Sequence, residues 1–107
     1  MSLVNLTPHP IHLYRGRPVE KGPDETIPPS GKVARVATIP LGTDGHGFEL
    51  VQYGYVDDLP QPAPGVWYVV SLVVALASQR GDIVAPYGEI RNTEGTVIGC
   101  NYLQRVV

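Results

Sequence analysis

The chain has 107 residues, 43% of them hydrophobic and 17% charged, with a formal net charge of −2 and a pI near 5.8. That length suits one domain, residues 1–107, and the apolar content excludes a disordered chain. The slight acidity excludes broad nucleic-acid binding, which needs a basic face to neutralise phosphates. The 12 glycines and 11 prolines are scattered between apolar runs without a period, the pattern of turns between short strands.

The first element, Val4 to Tyr14, is extended. Pro8 and Pro10 remove two backbone donors from it, so it belongs at a sheet edge or at a kink leading into one. Within VNLTPHPI, Asn5 or Thr7 is suited to cap a turn, with His9 packing locally. Thr26-Ile27 is cut by the turn Pro28-Pro29-Ser30-Gly31, and a strand resumes at Lys32–Thr38. Asp44-Gly45 predicts a hairpin into a strand over Phe48–Val56, with Tyr53 and Tyr55 on one face and Gly54 at a bulge or close approach. Proline at alternate positions of Leu59–Gly65 predicts a stiff connector within the domain.

Val66–Val70 then reads as a buried strand, Ser71 as a helix N-cap, Leu72–Gln79 as a helix and Gly81 as its stop. Leu72, Val73, Leu76 and Ala77 form a stripe that predicts the face turned to the sheet. Asp82–Pro86 is a short strand, and Gly88–Asn92 with Thr96–Val106 is a hairpin through Thr93-Glu94-Gly95. No segment repeats. The expected fold is mainly β with one helix (α+β), a curved or barrel-like antiparallel sheet in a single domain.

Residues 1–20 hold no unbroken apolar stretch, and the most apolar run, Val66 to Ala77, is too short to span a bilayer. These features predict a cytoplasmic chain with no membrane partner. His9 and His12 are three apart on a strand and point to opposite faces, so no metal site is expected. No phosphate-binding glycine loop, GxSxG elbow or HExxH occurs, and no cofactor or enzymatic activity is expected. Asp57 and Asp58 diverge in an extended stretch, and Cys100 lies in an apolar strand as an inert thiol. What remains is a set of polar residues at element ends: Asn5, Thr7, His9, Arg35, Ser71, Arg80, Asp82, Arg91, Asn92 and Arg105. Arg35 stands between Ala34 and Val36, where a charge needs solvent, Asp82 or a bound anion. Arg80-Gly81-Asp82 reads as a helix exit with an internal ion pair.

Five stretches together resemble a family of short proteins of bacteriophages, prophages and some actinobacteria. They are Asn5–Ile11, Ile27–Gly31 with Ala34-Arg35-Val36, Tyr68–Ser71, Asp82–Pro86 and Gly95–Cys100. The resemblance implies a phage-like setting, in which small non-enzymatic domains assemble with virion parts or interfere with host defence. One precedent there is the sponge protein that sequesters nucleotide immune signals, including the anti-Thoeris type. By that analogy Arg35, Arg91 and Arg105 would meet the phosphates of a small phosphorylated nucleotide. Tyr87 and Tyr102 would stack on its base, and Asn92, Asp82 and His9 would supply polar contacts. The arginines are dispersed in sequence, so such a site needs distant segments or the second subunit of a homo-oligomer. The alternative is a structural or protein-interaction module of phage origin without a small-molecule ligand.

Overall fold

A computed structural model describes residues 2–106 of the chain. Its strands are β1 (Ser2–Asn5), β2 (Ile11–Leu13), β3 (Glu25–Ile27), β4 (Arg35–Thr43), β5 (Glu49–Asp57), β6 (Val66–Val69), β7 (Ile83–Arg91) and β8 (Val97–Gln104). Helix α1 (Leu72–Ser78) and a single 3₁₀ turn at Val19–Lys21 complete the elements. None of these helices is long and apolar enough to cross a membrane.

Six strands form one sheet in the order β1-β6-β7-β8-β2-β3. A bridge between Asn5 and Pro29 brings its two ends together, so the sheet is a nearly closed barrel. The barrel-like β fold with one helix is as the sequence predicts, but the pairing is mixed. β1 runs parallel to β6, β6 to β7 and β2 to β8, whereas β7–β8 and β2–β3 are antiparallel. The reason lies in α1: it is the crossover that parallel strands require, carrying the chain from β6 to the start of β7.

The helix buries a different face from the predicted one. Val74 and Ala75 are 1% and 4% exposed, in the core with Leu6, Tyr68, Val70 and Ile83. Leu72, Val73 and Leu76 are 48%, 38% and 54% exposed. Every residue of Leu72–Ala77 is apolar, so a stripe can be drawn at almost any angle and periodicity alone has no power to choose. Ser71 has the extended backbone of an N-cap (φ −67°, ψ 159°), yet its hydroxyl makes no capping bond. Gln79, in the left-handed conformation (φ 52°, ψ 37°), ends the helix in place of Gly81. Val74→Ala should therefore cost on the order of 2 kcal/mol. Leu76→Ala and Ser71→Ala should each stay within about 0.5 kcal/mol in urea unfolding. A loss at Leu76 as large as that at Val74 would contradict the burial.

β4 and β5 pair only with each other, as an antiparallel ribbon. Val36 and Val56 at its base pack against the core; beyond them the ribbon leaves the barrel as an arm. The radius of gyration is 16.1 Å, with extents of 51 × 40 × 26 Å. A compact chain of this length would have a radius of about 13 Å. At the tip, Asp44 Oδ1 accepts hydrogen bonds from the amides of His46 and Phe48, fixing the predicted hairpin. The ladder slips between Val36/Val56 and Thr38/Tyr53, so a bulge at Gly54-Tyr55 separates the two tyrosines. Tyr53 lies on the Thr38 face and Tyr55 on the opposite one, against the expectation of a shared face.

Candidate functional site

The polar cluster at the N-terminus resolves into a structural device. Asn5 is 1% exposed and its amide is fully engaged. Nδ2 donates to the carbonyls of His9 (2.8 Å) and Ile27 (3.0 Å), while Oδ1 accepts from the Thr7 amide (2.9 Å) and hydroxyl (2.6 Å). The bond to Ile27 ties β1 to β3, and the Asn5 carbonyl accepts from the Ser30 amide in the same seam. Pro8 and Pro10 stiffen the turn that the Asn5 side chain closes. VNLTPHPI is thus the clasp of the barrel.

Beside the clasp, between α1 and the base of the arm, lies a cleft of about 420 Å³ lined by Thr7, Pro8, Arg35, Tyr53, Ser71 and Val73. Each wall has a local cause. The clasp presents Thr7, the first residue of β4 presents Arg35, the bulged β5 presents Tyr53, and the extended N-cap presents Ser71. Among the described residues no carboxylate or carbonyl engages the Arg35 guanidinium; its ladder partner Asp57 makes no ion pair with it. The cleft therefore offers an uncommitted planar donor set, the free Ser71 hydroxyl and an exposed aromatic ring, while the Thr7 hydroxyl is spent on Asn5. Its size falls within the range that small-molecule pockets occupy.

A second cleft, about 570 Å³, opens at the other end of α1 and includes Gln79, Arg80, Gly81 and Arg105. Arg80 is committed: Nε and Nη2 donate to the two oxygens of Asp82 at 3.0 and 2.6 Å, and Nη1 donates to the Pro60 carbonyl at 2.8 Å. Hydrogen bonding from Arg80 holds the Asp82 carboxyl below the usual carboxylate range, and the same pair raises the Arg80 guanidinium further. This is the internal ion pair expected at the helix exit. It also anchors the proline-rich connector through Pro60. Arg105 stacks over Trp67 at 5.6 Å from the ring centroid.

The remaining candidates lie elsewhere. Arg91 contacts Glu89 at 2.6 Å and the Gly95 carbonyl at 2.7 Å, which holds it at the tip of the β7–β8 hairpin. Asn92 Oδ1 accepts from the amides of Glu94 and Thr96 in the same tip. Tyr87 and Tyr102 are a cross-strand pair on that hairpin, ring centroids 6.5 Å apart and both more than half exposed. The His9 imidazole borders a third cleft, of about 580 Å³, with His12, Pro86, Ile98 and Cys100. Burial pushes the Cys100 thiol up, which favours its protonated form.

The sequence-derived set is thus split: Arg35 in the first cleft, Arg105 in the second, His9 in the third, Asp82 in an ion pair, and Arg91, Asn92, Tyr87 and Tyr102 on one hairpin. Within one chain it forms no single site. Tyr53, in the Arg35 cleft, is the residue that sequence reasoning missed. Its only signal was a large aromatic in a strand that is apolar on both faces. No protein-family model, curated protein or solved structure matches the chain.

Proposed function

We propose that the chain is a non-catalytic, phage-type binding protein that sequesters a small phosphorylated nucleotide, with the cleft beside Arg35 as its anion site. The observation that carries this is the uncommitted guanidinium of Arg35 in one cleft with the Ser71 hydroxyl, which makes no capping bond. A phosphate takes a bidentate grip from a guanidinium and further bonds from hydroxyls, and Tyr53 offers a ring on which a base can stack. Arg91 and Asp82, already engaged within the fold, supply structure rather than affinity.

Titration against a panel of linear and cyclic nucleotides tests the proposal. Arg35→Ala should weaken binding about ten- to a hundredfold at unchanged melting temperature, since a charge-assisted bond contributes roughly 1.5–3 kcal/mol net. Arg35→Lys should recover only part of the loss, because lysine lacks the planar fork. If no nucleotide binds below about millimolar, the sponge proposal fails. The alternative, an interaction module of phage origin, draws on a separate observation: the apolar arm.

A further inference from the structure

The clefts at the two ends of α1 adjoin through a further, smaller one. It measures about 280 Å³ and is lined by Tyr53, Gly54, Val73, Leu76, Ala77 and Gln79. Tyr53 and Val73 also line the Arg35 cleft, and Leu76 and Gln79 also line the Arg105 cleft. The three therefore follow one side of α1 as a trough. From the N-cap Ser71 to the C-cap Gln79 the helix advances about 12 Å, at roughly 1.5 Å per residue. The middle of the trough is the apolar helix face that the core does not use, with the Tyr53 ring beside it. No aspartate or glutamate lines any of the three clefts, although the chain has 10 acids against 8 lysines and arginines. Arg105, like Arg35, has no carboxylate partner among the described residues. Its guanidinium lies over the Trp67 ring, and its Nη2 is 3.5 Å from where a Cβ on Gly81 would stand. The ring quadrupole holds such a cation while leaving N–H donors available to an oxygen acceptor.

We propose, resting on the nucleotide reading above, that this trough takes a short linear oligonucleotide rather than a mononucleotide. One phosphate sits at Arg35 and Ser71, a base lies on Tyr53, and a second phosphate sits at Arg105 and Gln79. Three features set that class. First, a guanidinium without a carboxylate partner stands at each end, so the ligand must carry anionic groups at two separate places. A mononucleotide, whose phosphates are contiguous, reaches only one of them. Second, a helix advance of about 12 Å corresponds to three or four nucleotides of a stacked strand, at roughly 3.4 Å each. Third, the stretch between the arginines is apolar and aromatic and holds no acid, so it can stack a base and repels no phosphate. An acidic peptide would match the two charges, but it has no base to lay on Tyr53.

Calorimetric titration of the full chain with AMP, ATP and the 5′-phosphorylated linear adenylates of two, three and four residues provides the test. Affinity should rise at least about tenfold from AMP to the trimer, the effect of one added charge-assisted contact, and level off by the tetramer. ATP, with its phosphates together, should fall short of the trimer. Arg105→Gln should return the trimer to the affinity of AMP while leaving AMP binding unchanged. Leu76→Glu, which sets an acid on an exposed position of the trough floor, should also remove the gain with length at an unchanged melting temperature. Equal affinity for AMP and the trimer, or a trimer that binds Arg105→Gln as tightly as wild type, overturns the trough while the Arg35 site stands. If no adenylate binds below about millimolar the trough falls, and the nucleotide reading falls with it when the wider panel is silent too.

Discussion

Asn5→Leu should remove a large share of the stability of this fold, on the order of 4 kcal/mol of the 5–15 kcal/mol typical of a domain. Leucine fills nearly the same space, so the loss is one of hydrogen bonding rather than volume. It leaves the Thr7 amide and the His9 and Ile27 carbonyls without their partner, in a site where Asn5 itself is 1% exposed. Each group stranded away from water costs about 1–3 kcal/mol, and the Thr7 hydroxyl can satisfy only one of them with its single proton. Urea unfolding measures the total. Hydrogen exchange locates it: the Ser30 amide, which bonds the Asn5 carbonyl across the seam, should lose protection before the β7–β8 amides do. A total below about 1 kcal/mol would mean that water enters the clasp and that the barrel does not depend on it.

Gly99→Ala should be the second most damaging change. A Cβ at this position would lie 2.5 Å from the His12 carbonyl oxygen and 2.6 Å from the Tyr14 ring, the first of them backbone and the second a buried side chain. β2 and β8 meet here, with Leu13 opposite Cys100, and the glycine allows that approach. Forcing the strands apart should cost roughly 2–4 kcal/mol, in the upper range for overpacking. Gly45→Ala is the control. Its φ is ordinary and nothing lies within 4 Å of the added methyl, so the melting temperature should hold or rise slightly. Equal effects at the two positions would show that the close contact at Gly99 relaxes at little cost.

The sequence is most legible where a residue type has one conformational use. Asp44 stands at a hairpin tip as expected, because its side chain bonds the amides of its own turn; Asn92, read in sequence as a strand end and a ligand contact, bonds the turn amides in the same way. Cys100 is buried as its apolar flanks implied. The helix was legible as an element but not as a face, since Leu72–Ala77 is apolar throughout. The parallel pairing was hidden for a related reason: a buried strand such as Val66–Val69 reads the same in either direction, and only the α1 crossover distinguishes them. The site fared worst. Arg35 stood out because a charge interrupts an apolar strand, but nothing local places Ser71 and Tyr53 across a cleft from it. Arg91 and Asp82 look equally available in sequence, and only the fold shows that Glu89 and Arg80 hold them.

The placement of β1 has a consequence for how the chain is made. Asn5 lies opposite Val69 in one ladder, and Leu13 lies opposite Cys100 in another. β1 and β2 therefore take partners, in β6 and β8, that are synthesised well after them. Until β6 and β8 emerge, β1 and β2 can make none of these pairings. Meanwhile the β4–β5 hairpin, whose ladder is local, can form early with its apolar faces bare. Loop-closure entropy for such distant pairings places barrel formation in the milliseconds-to-seconds range of non-local β folds. Encounters between arms on neighbouring nascent chains thus compete with closure of either barrel, which makes the rate of synthesis and the local concentration of chains determinants of yield.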